Sequence, residues 1–238
     1  DEMEGIWQGI IKPNLVGRAL VTGKTNTIGL ILSDLTNPFF HLLAEVIRSI
    51  SENMDLYLIL GSTGGDYGKT ISSAQQLIRR GVDGLIVSGA GLNLDHIRTI
   101  ESFNIPTVYV EVDPSFQDIS IVRSDSLLGA EMAVKLLLEK GHKRIAHIAG
   151  PLDTVTARER LHGYRKIMNA FGLADESLII PGSFRVEDGY WGLKRLLDQG
   201  DLPTAIFAAN DLMAFGVLKC AAEMGISIPE QLAVIGFD

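Results

Sequence analysis

The chain has 238 residues, 46% of them hydrophobic, and a net charge of -8 at neutral pH. At roughly 150 residues per domain, this length suits one large or two modest domains with ample apolar material for a core. The acidic balance argues against a nucleic-acid surface on this segment, because phosphate binding needs clustered Lys and Arg, and the only basic clusters are "HKR" at 142–144 and the scattered Lys12, Arg18 and Lys24 near the start.

No apolar stretch approaches the roughly 20 residues of a membrane span. The opening "DEMEGIWQGIIKPN" lacks the basic-then-apolar profile of a secretory signal. A cytoplasmic protein without membrane contact is therefore expected. The single cysteine, Cys220, lies at helical spacing in "LMAFGVLKCAAEMG" and reads as a buried structural thiol.

From residue 26 onward, short apolar runs alternate with helical stretches. The runs are "TIGLIL" (27–32), "LYLIL" (56–60), "GLIVS" (84–88), "TVYVEV" (107–112), "ISIV" (119–122), "RIAHIAG" (144–150), "TAIFAA" (204–209) and "LAVIGF" (232–237). Between the first two, "FFHLLAEVIRSI" carries an apolar stripe of 3.6 period, with Asn37 placed as an N-cap and Pro38 in the first turn. Gly81, Gly141, Gly172 and Gly225 each follow a helical stretch, as left-handed caps do. Such alternation gives an α/β fold with parallel sheets covered on both faces. A shared helix-end, Gly, Asp, strand rhythm in "RRGVDGLIVS" and "DQGDLPTAIFAAN" points to two similarly built halves. Their junction is expected in "EKGHKRIAHIAG", which assigns 26–142 to an N-terminal subdomain and 143–238 to a C-terminal one.

In open α/β sheets, ligands bind beyond the carboxyl ends of the strands. Those positions hold Asp34, Asn37, Phe39 and Phe40, then Glu111, Asp113 and Asp125. Arg158 and Arg160 enter the helix after "RIAHIAGP", and later strand ends supply Phe184, Asn210, Asp211 and Asp238. Carboxylates, amides and an Arg make paired hydrogen bonds to vicinal hydroxyls, and Phe faces cover the apolar side of a sugar ring or nucleobase. A polyhydroxylated ligand is expected. Other readings compete: the Phe pair could be core, and Asn37, Asp125 and Asn210 could be helix caps only. Arg158 and Arg160 lie two apart on a helix, so they cannot face the same way.

Searches for catalysis return nothing. "SGAGLNL" lacks the third glycine of a dinucleotide fingerprint, no Walker sequence or nucleophile elbow is present, and the five His residues do not pair at metal spacing. A binding protein without cofactor or metal is expected, and not an enzyme.

The segments "PNLVGRALVTGKTNTIGLILSDLTNPFF", "RRGVDGLIVS", "VRSDSLLGAEMAVKLLLEKGHKRIAHIAGP", "TARERLHGYRKIM" and "FAANDLMAFGVLKCAAEMGISIPEQLAVIGFD" together resemble the LacI/GalR family of bacterial transcription repressors. That family's effector domain is similar to periplasmic sugar-binding proteins. The resemblance implies two Rossmann-like subdomains, with the effector in a cleft between them. Carried over by motif, the effector-binding residues are Asn37, Phe39, Phe40, Glu111, Asp125, Arg160, Phe184, Asn210 and Asp238, which selects Arg160 over Arg158. The resemblance also implies a homodimer, a sugar as effector, and operator DNA bound through a helix-turn-helix head. Residues 1–25 would be a head remnant and hinge, with Leu20 as its minor-groove wedge. The head expected before Pro13 is not visible in "DEMEGIWQGIIK", and family members continue beyond "VIGFD", so the chain reads as a truncated effector domain. A sugar-binding protein of a transport system is the rival reading.

Overall fold

The predicted apolar runs form strands in a computed structural model that describes residues 23–89, 91–200 and 202–238. The chain divides into two compact units, one ending at Val122 and the other beginning at Arg123. The N-terminal unit holds strands β1 Thr27–Leu32, β2 Tyr57–Ser62, β3 Gly84–Ser88, β4 Thr107–Val110 and β5 Ser120–Val122. Helices α1 Pro38–Asn53, α2 Gly68–Arg79 and α3 Leu94–Glu101 connect them. The C-terminal unit holds α4 Ser126–Glu139, β6 Ile145–Ile148, α5 Val155–Ala170, β7 Ile179–Ile180, α6 Val186–Asp198, β8 Ala205–Ala208, α7 Asp211–Glu223 and β9 Ala233–Gly236.

Both sheets are parallel throughout, in the orders β2-β1-β3-β4-β5 and β7-β6-β8-β9. The first four strands of each unit are therefore arranged alike, as the shared rhythm of the halves anticipated. In both, the order reverses beside the first strand, between β1 and β3 and between β6 and β8. That is the switch point at which ligands of such sheets bind.

The unit boundary corrects the sequence reading, which put the junction after residue 142. The apolar face of α4 explains the difference. Ala130, Ala133, Val134 and Leu137 pack with Ile145, Leu161, Tyr164 and Phe207, so α4 belongs with the strand that follows it. Gly141 does end that helix in the left-handed region, as do Gly81, Gly172 and Gly225 their own, but a helix end is not a domain end.

Alternate residues of a strand face opposite sides of its sheet. In the C-terminal unit, Ile145, Ala205 and Phe207 pack toward α4 and α5. Ala146, Ile148, Ile206 and Ala208 pack toward α6 and α7 with Leu193, Met213 and Val217. Helices α6 and α7 cross at unusually short range. A Cβ on Gly189 would lie 1.8 Å from the Met213 carbonyl oxygen, and one on Gly216 would lie 1.9 Å from that of Val186. Backbone cannot yield as a side-chain tip can, so Gly189→Ala is expected to lower stability by about 1–3 kcal/mol or more. An unchanged urea midpoint would contradict the close crossing.

Candidate functional site

At the carboxyl end of β1, Asn37 closes the first turn of α1 by accepting the Phe39 N–H at 2.9 Å, with Pro38 next in the helix as anticipated. Phe39 and Phe40 are half-buried and meet edge to face, with ring centroids 5.1 Å apart. Glu111 follows β4, two strands away from β1 in the sheet, and is buried with its backbone N–H donating to the Val122 carbonyl at 3.0 Å. Asp125 belongs to the other unit. It is the first cap of the C-terminal unit, an exposed carboxylate accepting the Leu128 N–H at 2.9 Å at the start of α4.

The C-terminal unit brings several candidates into direct contact. Arg160, on α5, is only 6% exposed, and its Nη1 donates to the Ala209 carbonyl at 2.6 Å. Its guanidinium carbon lies 5.7 Å from the Phe184 ring centroid and 5.0 Å from that of Phe237. Asn210 is fully buried beyond β8; its Oδ1 accepts the Met213 N–H to cap α7, and its Nδ2 donates to the Phe184 carbonyl at 3.1 Å. Asp238 follows Phe237 and is exposed. Arg158 is exposed and turned away, donating to the Leu152 and Asp153 carbonyls. The helical period had separated the two arginines, and the structure places Arg160 as the buried one.

Backbone strain falls at two of these positions. Six described non-glycine residues have φ in the left-handed region, and four of them are Asn or Asp, which tolerate it. The other two are Glu111 at 57° and Phe184 at 68°. Side chains without a local hydrogen-bonding reason adopt this conformation at a cost, and such residues cluster at ligand sites.

Two residues escaped the sequence reading. Phe237 lay between strand and Asp238 and was counted as strand, although an aromatic at a strand end was itself the signal used for Phe184. Ser88 ends β3 beside the β1/β3 switch point, is 2% exposed, and its hydroxyl has no hydrogen-bond partner. Leu20 lies outside the described residues. Among the described residues, no helix is long and apolar enough to cross a membrane.

The sequence profile described as "Periplasmic binding proteins and sugar binding domain of LacI family" matches residues 25–238. An HTH-type transcriptional repressor PurR of Haemophilus influenzae is 36% identical over 231 residues, spanning 95% of this chain and 68% of that protein. The ribose operon repressor of Escherichia coli is 32% identical over 231 residues, spanning 95% and 69%. Among solved structures, the lac repressor dimer bound to operator and the anti-inducer ONPF superposes with a TM-score of 0.86 at 25% identity, over 96% of this chain and 80% of that one. The transcriptional regulator CelR in complex with cellobiose superposes with a TM-score of 0.81 at 29% identity, over 90% and 68%.

Proposed function

The chain belongs to the LacI family, and on that premise we propose that it is the sensing domain of a cytoplasmic transcriptional repressor whose effector is a sugar or a similar polar ring. The observation that carries this reading is the buried Arg160 guanidinium held against Phe184 and Phe237 beside the buried amide of Asn210. A planar fork of N–H donors next to aromatic faces and an amide suits vicinal hydroxyls on a ring. The chain then acts by binding, without chemistry on its ligand. Asn37, Phe39, Phe40, Glu111, Asp125 and Asp238 are proposed as further effector contacts. The strained backbone at Glu111 supports its place among them.

A thermal-shift screen against sugars, sugar phosphates and purines tests this. A ligand that binds only the folded chain adds about 2.7 kcal/mol of stability at a hundredfold excess over its Kd. At least one compound is expected to raise the melting temperature in a dose-dependent way, and a screen without any such compound would sink the reading.

DNA recognition is assigned to a helix-turn-helix head, because the net charge of -8 disfavours phosphate binding by this segment. Near-palindromic operators call for a two-fold dimer. Exposed apolar residues supply a surface in each unit: Leu42, Val46 and Ile50 at four-residue spacing on α1, and Trp191, Phe215 and Leu218 on α6 and α7. Sedimentation is expected to show a dimer at micromolar concentration, and Val46→Glu with Phe215→Glu to give monomer. A wild-type chain that sediments as monomer would contradict this.

A further inference from the structure

We propose that Phe237 is a positioning residue: together with Phe184 it holds the Arg160 guanidinium in the orientation in which it meets the effector. The inference rests on the sensing role of Arg160 and adds to it one aromatic and two glycines. The guanidinium carbon is closer to the Phe237 ring, at 5.0 Å, than to the Phe184 ring, at 5.7 Å. A cation over a ring face is attracted by the ring quadrupole, and a planar guanidinium also stacks. The Nη1 bond to the Ala209 carbonyl fixes one end of the fork, and the rings fix its plane.

Each ring is admitted by a glycine. A Cβ on Gly129 would fall 2.2 Å from Cζ of Phe237, and one on Gly150 would fall 2.3 Å from Cε1 of Phe184. Gly129 lies inside α4, where alanine is the better helix former, so its use there goes against local preference. The space it leaves is filled by the ring that holds Arg160.

The test is the rate at which phenylglyoxal modifies Arg160 in the 238-residue chain, followed by peptide mass spectrometry with the exposed Arg158 as reference. Phe237→Leu keeps an apolar side chain and removes the ring. Gly129→Ala pushes the ring aside from within α4, and the helix preference for alanine offsets part of the cost of the overlap. Both variants should react at Arg160 far faster than wild type, by roughly the tenfold that a 1.4 kcal/mol loss of protection gives. Phe237→Tyr, which keeps the ring, should restore the wild-type rate. General loosening of the fold would also speed modification of the half-buried, ion-paired Arg123 and Arg144, which are expected to keep their wild-type rates. The proposal is overturned if both variants leave the rate unchanged, or if wild-type Arg160 reacts as fast as Arg158. A compound that stabilises the chain in the thermal-shift screen should slow modification of wild-type Arg160. Stabilisation without that protection would overturn the effector-facing part of the proposal. A screen in which nothing stabilises the chain would instead remove the sensing role, and the variant rates would still decide whether Phe237 holds Arg160.

Discussion

Arg160→Ala is expected to weaken effector binding by at least about tenfold, since 1.4 kcal/mol is a factor of ten and a stranded buried partner costs about 1–3 kcal/mol. The substitution leaves the Ala209 carbonyl without its donor and two rings without the cation they face. Phe184→Ala should act in the same direction, because it removes one of those faces. Arg158→Ala is the comparison: its bonds are to the carbonyls of Leu152 and Asp153 at the approach to α5, so a smaller change is expected. Calorimetric titration of the three variants with a compound from the screen provides the measurement. Loss of binding in Arg158→Ala with binding intact in Arg160→Ala would reverse the assignment.

Acid is expected to destabilise the C-terminal unit through His147. This side chain is fully buried on β6, stacked between Tyr164 and Phe207 at centroid distances of 5.1 and 4.7 Å. Its Nδ1 lies 2.9 Å from the Phe207 carbonyl. A carbonyl only accepts, so the proton sits on Nδ1, and Nε2 is left buried without a partner. Burial pushes the imidazole down to about 4 from 6.5, the bond to Phe207 opposes this, and the positive charges of Arg160 and Arg165 add to the fall. The unfolded chain takes up the proton below pH 6.5 and the folded chain only below about 4, so stability is complete above 6.5 and is lost between those values. A shift of this size corresponds to about 3 kcal/mol at 1.36 kcal/mol for each pH unit. Urea unfolding from pH 7 to pH 4 should show that loss in the wild type and a shallower one in His147→Gln. Parallel pH profiles in the two proteins would contradict the assignment.

Strands β6 and β8 were legible because they are buried on both faces and so read as apolar runs in "RIAHIAG" and "TAIFAA". Strand β7, two residues long and paired through His147 and Ile148, was not among the apolar runs, and only the placing of Phe184 at a strand end pointed to it. The place of α4 was illegible for another reason. Its sequence shows an apolar face and a closing Gly141, but which sheet that face covers is settled by packing with Tyr164 and Phe207 from far along the chain. For the site, the helical period was enough to separate Arg158 from Arg160. Asn37, Asp125 and Asn210 were ambiguous between cap and ligand contact, and the structure shows all three as caps. Asn210 illustrates why the alternatives need not exclude each other, since Oδ1 caps α7 while Nδ2 reaches the Phe184 carbonyl. Phe237 was hidden because it matters through Arg160 rather than through its own position in a motif.

The parallel order of the second sheet also governs the timing of its birth. Strand β6 sits in the interior of that sheet, yet the partner on its β8 side is 60 residues downstream, Ile145 pairing with Ala205. At about 5–20 residues per second, a ribosome needs about 3–12 s to make that interval. Throughout it, a strand whose four side chains are all destined for burial has one edge open, with only the two-residue β7 arriving on the other side. Pairings this distant in sequence also slow the closing step once the chain is complete. During its synthesis the C-terminal unit thus passes through a stage with a long-lived sticky edge, the period in which chaperone protection matters most.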